Sequence, residues 1–170
     1  KNEMKIYVEL SKTQINLYRD LVTNVLKEFE SDKSEKQGKN IIILSMLTKL
    51  KQICNHPYQY LHKNLTNDIL ENKLDDFVSQ SPKLERLFEM LDEVIDKNEK
   101  AIIFTQFTQM GDILEKILSF RYGFPILYFH GSVPADKRND IVEKFQSDDF
   151  NSPPILILSL RAGGTGLNLT

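Results

Sequence analysis

Apolar positions run through this chain in more than one rhythm. Met4, Ile6, Val8 and Leu10 alternate with other residues, a period of two that predicts a strand. Ser11 is placed as the N-cap of a following helix, with Gln14 as its capping-box partner, and Ile15, Tyr18, Leu21, Val22, Val25, Leu26 and Phe29 trace one apolar face. Residues 30–40 are almost wholly polar and charged, which predicts a flexible linker. Helical spacing returns at 41–54 through Ile43, Met46, Leu47, Leu50, Ile53 and Cys54, and Pro57 marks a stop. Between 59 and 80 the pattern is weak, with one short helix expected around 70–78.

Beyond Ser81 amphipathic helices alternate with short apolar strands. Ser81-Pro82 has the form of an N-cap followed by proline at the first helical position, and Leu84, Leu87, Phe88, Leu91, Val94 and Ile95 form the buried stripe. Strands are expected at 101–104, 126–129 and 155–160. The helices between them carry Met110, Ile113, Leu114, Ile117 and Leu118, and then Ile141, Val142 and Phe145. Continuously apolar strands separated by such helices predict an α/β fold, a parallel sheet with helices on both faces, occupying 81–170. Residues 1–80 form a strand plus a mostly helical segment leading into it. Residues 155–160 are expected to be an interior strand, one edge of which pairs with strands beyond Thr170.

Composition narrows the functional classes. With 170 residues, 41% of them hydrophobic, the chain can bury a sizeable core. It has one cysteine and no run of eighteen apolar residues, so neither a disulfide framework nor a membrane-spanning helix is expected, and the reading is intracellular. A net charge of −2 does not advertise nucleic-acid binding, which therefore has to rest on local groups placed by the fold.

In parallel sheets ligands sit beyond the carboxyl ends of the strands. Three exits fall there: Thr105-Gln106-Phe107, His130-Gly131-Ser132, and residues 159–168. The last combines Gly163, Gly164 and Gly166 with Ser159, Thr165 and Arg161, so backbone N–H groups can approach an anion without a Cβ in the way. No Lys-Ser or Lys-Thr follows these glycines, so this is no Walker A loop, and the dinucleotide fingerprint lacks its third glycine. Asp92-Glu93 imitates a magnesium-binding pair but lies within an amphipathic helix. Cys54, His56 and His62 lack a fourth ligand and paired spacing, so no metal site is expected, and His130 has no nucleophile or carboxylate pair beside it.

Six strings in order resemble one family, the second RecA-like lobe of Swi/Snf-like DNA-dependent ATPases in helicase superfamily two. They are Ile6-Tyr7-Val8-Glu9-Leu10 with Gln14 and Leu17-Tyr18; Leu50-Lys51-Gln52-Ile53-Cys54-Asn55-His56-Pro57; and Ser81-Pro82-Lys83-Leu84. The others are Ile102-Ile103-Phe104-Thr105-Gln106-Phe107 with Met110, similar to motif IV; His130-Gly131-Ser132 with Arg138; and 158–170, similar to motif V. Lys51 and Thr165 look more like bacterial or archaeal members.

The resemblance implies a RecA-like (P-loop NTPase-like) fold and an ATP-dependent DNA translocase or helicase, with ATP and Mg2+ as cofactors. Gly164, Gly166 and Asn168 would face the nucleotide, while Thr105, Gln106, Ser159 and Arg161 would hold the duplex DNA backbone. The implied partner is the N-terminal RecA-like lobe of the same protein, which carries the Walker A lysine and the magnesium ligands. Because the sequence ends before motif VI, whose arginines reach the γ-phosphate in that family, no complete catalytic set lies within this chain. Two other readings remain open: an RNA helicase lobe, and a non-catalytic α/β protein-interaction domain.

Overall fold

The computed structural model describes residues 2–31, 36–147, 149 and 152–160. They divide into two compact units, Lys1–Phe88 and Glu89–Thr170.

In the first unit α1 (Lys12–Ser31) and α2 (Lys36–Asn55) pack through Leu21, Leu50 and Ile53, with Leu17, Val22, Val25 and Met46 around them. The capping box forms as expected. Ser11 Oγ accepts from the Gln14 amide at 3.2 Å, and Gln14 Oε1 accepts from the Ser11 amide at 3.0 Å. Gln14 then does more than cap, because its buried Nε2 donates to the Ile53 carbonyl of α2 at 2.8 Å.

The expected strand at Met4–Leu10 is absent: residues 2–11 carry neither helix nor strand. An alternating pattern needs a partner to satisfy its backbone. None is supplied among the described residues, and Met4 and Tyr7 stand in solvent. The polar run expected as a linker is helical at both its ends, since α1 extends through Ser31 and α2 begins at Lys36. Lysine and glutamine are good helix formers, and one glycine, Gly38, costs only about 1 kcal/mol. Polar composition therefore did not mean loop.

After Pro57 come three short helices, α3 (Pro57–Tyr60), α4 (Asn67–Asn72) and α5 (Leu74–Ser79). The single helix expected around 70–78 is thus two, broken at Lys73 (φ −139°, ψ 22°). Helix α6 (Pro82–Asp96) starts where Ser81 Oγ accepts from the Leu84 amide at 3.3 Å, as the N-cap reading required.

The second unit holds the sheet: β1 (Ala101–Thr105), α7 (Thr108–Tyr122), β2 (Leu127–Phe129), α8 (Ala135–Gln146) and β3 (Ile155–Ser159). All pairing is parallel, and the strand order is β1-β3-β2. β3 is therefore interior, but both its edges are paired within this chain, which corrects the expectation that one edge waits for strands beyond Thr170. Every residue of β3 is buried, which accounts for its unbroken apolar sequence.

The register places Ile102, Leu127, Phe129, Leu156 and Leu158 on one face, where Ile141 and Phe145 of α8 complete the core. α7 lies on the other face, packed against Tyr128, whose hydroxyl donates to the Thr108 carbonyl at 3.1 Å. Gly111 permits that approach: a Cβ there would fall inside the van der Waals surface of the Tyr128 hydroxyl. α7 ends at Gly123 in the left-handed conformation (φ 71°), which carries little penalty only for glycine.

Candidate functional site

Parallel register brings the three strand exits to one level. Thr105 pairs with Ser159 and Phe129 with Leu158, so His130 stands one step beyond β2 opposite the Ser159 step of β3. The sequence-expected positions Thr105, Gln106 and Ser159 thus share one rim of the sheet. Arg161, Gly164, Gly166 and Asn168 lie outside the described residues.

These positions differ in access. Thr105 is buried, and its hydroxyl is engaged in its own turn, donating to the Phe107 carbonyl at 3.2 Å and accepting from the Phe107 amide at 3.3 Å. It shapes the entry to α7. Gln106 is the exposed side chain of that turn, while Ser159 is buried at the end of the central strand.

The third exit is a four-residue turn, His130 to Val133, closed by the Val133 amide donating to the His130 carbonyl at 3.1 Å. Arg138 on α8 reaches back beneath it. Its Nε donates to the Val133 carbonyl at 2.9 Å, its Nη2 donates to the Gly131 carbonyl at 3.1 Å, and its guanidinium carbon lies 5.6 Å from the centroid of the Phe129 ring.

Beside this turn is a concavity of about 490 Å³ lined by His130, Ser132, Val133, Pro134, Lys137, Asp140, Ile141 and Lys144. Composition did not reveal it. The one usable signal was spacing, because Lys137, Asp140, Ile141 and Lys144 recur at i, i+3, i+4 and i+7 along one helix face.

The neighbouring acidic groups are set by burial. Tyr128 is pushed up to about 12, first by burial and then by the nearby Asp112 and Glu115. Burial, reinforced by Asp112, also raises the Glu115 carboxyl. The ring of His130 lies 4.5 Å from that of Tyr128.

Other candidate groups prove structural. Asp92 accepts from Arg121 Nη2 and from the Tyr122 hydroxyl, both at 2.7 Å, and so ties α6 to the end of α7. Burial opposes ionisation of Asp92, but those two donors hold its carboxyl below the usual range. His56 is buried with both ring nitrogens engaged: Nδ1 accepts from the Tyr58 amide at 3.1 Å and Nε2 donates to the Phe77 carbonyl at 2.8 Å. Among the described residues no three of His, Cys, Asp or Glu group together as metal ligands.

Residues 82–170 match the family model described as "Helicase conserved C-terminal domain". The chain belongs to that family. It is 39% identical over 170 residues to the putative ATP-dependent helicase/translocase YwqA of Bacillus subtilis, covering all of this chain and 17% of that protein. The Sulfolobus solfataricus SWI2/SNF2 ATPase C-terminal domain superimposes with a TM-score of 0.79 at 32% identity, over 96% of this chain and 65% of that one. The S. solfataricus SWI2/SNF2 ATPase core in complex with dsDNA gives a TM-score of 0.75 at 30% identity, over 91% of this chain and 30% of that one. The fold is that of a RecA-like C-terminal lobe of the SWI2/SNF2 kind, preceded by its helical segment.

Proposed function

We propose that this chain is the second motor lobe of an ATP-dependent DNA translocase, supplying half of an ATP site and backbone contacts to duplex DNA. The observation that carries the reading is the shared level of Thr105, Ser159 and His130 at the carboxyl rim of a sheet whose helicase-family match runs through the glycine-rich segment. In this reading Gln106 and Arg161 meet phosphate groups, with Thr105 fixing the turn that presents Gln106 and the buried Ser159 ending the strand that leads to Arg161. Such contacts position a duplex without reading its sequence. Gly164, Gly166 and Asn168 face the nucleotide, where the lack of a Cβ at the glycines allows close backbone approach.

ATP hydrolysis needs charge neutralisation and alignment more than covalent help from the protein. When bound, Mg2+ would supply part of that neutralisation. Its protein ligands belong to the partner lobe in this reading.

Two measurements test the proposal. The isolated chain with ATP, magnesium and duplex DNA should show no turnover above background, whereas the whole protein should be stimulated by duplex DNA more than by RNA. In the whole protein, Gly164→Asp puts a negative charge against the nucleotide and should lower kcat by orders of magnitude, since misaligned closure forfeits contributions such as an arginine finger's roughly 10³–10⁵. Wild-type turnover in that variant removes Gly164 from the nucleotide site, and robust ATPase activity of the isolated chain overturns the half-site reading.

A further inference from the structure

We infer that Ser11 is a positioning residue that anchors the chain ahead of α1 to the start of α6, so that movement arriving along residues 2–10 reaches the helix leading into the sheet. The inference rests on the motor-lobe reading above, in which the partner lobe precedes that segment. Residues 2–10 form neither helix nor strand, and 2–9 are exposed. Along this run the first side chain bonded to a distant segment, among the described residues, is Ser11.

Ser11 Oγ has two roles at once. It accepts from the Gln14 amide at 3.2 Å, which caps α1, and it donates at 2.9 Å to the Gln80 carbonyl, 69 residues away in sequence. Ser81 repeats the arrangement: its Oγ accepts from the Leu84 amide at 3.3 Å, capping α6, and donates to the Asn55 carbonyl at the end of α2 at 2.6 Å. Gln14 supplies the third tie, from its Nε2 to the Ile53 carbonyl at 2.8 Å. Residues 11–14, 53–55 and 80–84 are thereby joined pairwise. The side chains of the other two ties, Gln14 and Ser81, are buried. Only the Ser11–Gln80 bond links the entering chain to α6 directly; without it, movement reaches α6 only by way of α2.

The two roles of Ser11 separate chemically. A hydroxyl has one donor and two acceptor lone pairs, which suits a group that must cap and donate together. An aspartate carboxylate caps a helix as well as serine does, but it has no proton to give the Gln80 carbonyl.

The test uses the whole protein as wild type, Ser11→Thr, Ser11→Asp and Ser11→Ala. Three quantities are read: the ATPase rate stimulated by duplex DNA, the rate at which a third strand is displaced from a triplex carried on that duplex, and hydrogen exchange of the peptide covering residues 12–20. Ser11→Thr, which keeps donor and acceptor, should match wild type. Ser11→Asp should leave ATP hydrolysis and exchange near wild type while displacement per ATP falls about fivefold, the equivalent of one neutral hydrogen bond. Ser11→Ala, which adds no charge, should lower that ratio to a similar extent and also speed exchange, because the cap is gone.

A wild-type ratio in Ser11→Asp overturns the inference, since the Gln80 bond then carries nothing. Hydrolysis and displacement that fall together in Ser11→Asp also overturn it, because the damage is then to turnover and not to transmission. A lowered ratio in Ser11→Thr does the same by showing that the hydroxyl is not what matters. In all three cases the proposed function stands. A wild-type protein that is not stimulated by duplex DNA, or displaces no third strand, removes the motor reading and this inference with it.

Discussion

Two bends in this chain are built around a histidine, and they use it in opposite ways. At Asn55-His56-Pro57 the ring is fully buried, stacked 4.0 Å from Phe77, and spends both nitrogens on backbone groups. Its neighbours are equally committed: Ser81 Oγ donates to the Asn55 carbonyl at 2.6 Å, and Lys83 Nζ donates to Asn55 Oδ1 at 3.2 Å. At His130-Gly131-Ser132 the ring is half-buried at a strand end, and an arginine rather than the histidine satisfies the turn. The first histidine is a keystone of the helical unit. The second is a wall of a concavity. Residue type and a nearby proline or glycine do not separate these cases, but the number of hydrogen-bonding atoms left over does.

The most direct way to break this comparison is to delete each ring. His56→Ala leaves the Tyr58 amide and Phe77 carbonyl unpaired in a dry site and opens a cavity beside Phe77, so it should destabilise the chain by about 3–5 kcal/mol in chemical unfolding. His130→Ala loses one tilted ring contact with Tyr128 and should cost about 1 kcal/mol or less. Comparable losses in the two variants would show that the rim histidine is as structural as the buried one.

Acid should separate them next. Burial lowers His56 from 6.5 to about 4, against a smaller opposing contribution from its bond to Phe77. Below pH 6.5 the unfolded chain binds a proton that the folded chain refuses until about pH 4. His56 therefore costs no stability above pH 6.5, and stability falls progressively as pH drops toward 4. The loss approaches about 3 kcal/mol. Its falling limb should persist in His130→Ala. An NMR titration of the His56 ring with a midpoint near 6.5 in the folded chain would sink the assignment.

The same contrast explains what could be read from sequence. The order α6-β1-α7-β2-α8-β3 was legible because the helices carry apolar stripes and the strands short apolar runs, although only β3 buries its whole run and Phe104 of β1 stays exposed. That β3 is interior was expected too, but not that β1 and β2 flank it on both edges, since order along the chain says nothing of order across a sheet. Met4–Leu10 has the right alternation without a partner, and pattern cannot supply one. At the site, the rim residues Thr105, Gln106 and Ser159 were found by the rule for strand ends, but not that the Thr105 hydroxyl turns inward on its own loop. Arg138 was visible only as part of a resemblance, because its bonds go to carbonyls, which every residue has and no sequence marks.

A smaller effect is expected inside the sheet unit, where close packing rather than hydrogen bonding decides. Gly111→Ala gains up to about 1 kcal/mol in helix propensity but drives a Cβ into the Tyr128 ring, an overpacking cost of about 1–3 kcal/mol. Net destabilisation is expected, and it should shrink when Tyr128→Leu is made alongside. If Gly111→Ala stabilises the chain in the presence of Tyr128, α7 does not approach β2 as closely as described.

The smallest effect concerns Asp92, the carboxylate whose Asp92-Glu93 sequence imitates a magnesium-binding pair. Its Arg121 partner is bound at 2.7 Å, but the two side chains are 43% and 35% exposed, so solvent and salt screen the pair. Arg121→Ala should cost less than about 1 kcal/mol, and the cost should decline further at high salt, while the Tyr122 hydroxyl still holds Oδ1 of Asp92. Asp92→Asn in the whole protein should likewise leave the magnesium dependence of ATPase activity where it is, because this carboxylate ties two helices together rather than facing the strand ends. A raised magnesium requirement in Asp92→Asn would place Asp92 in the metal site and reverse its assignment as a helix tether.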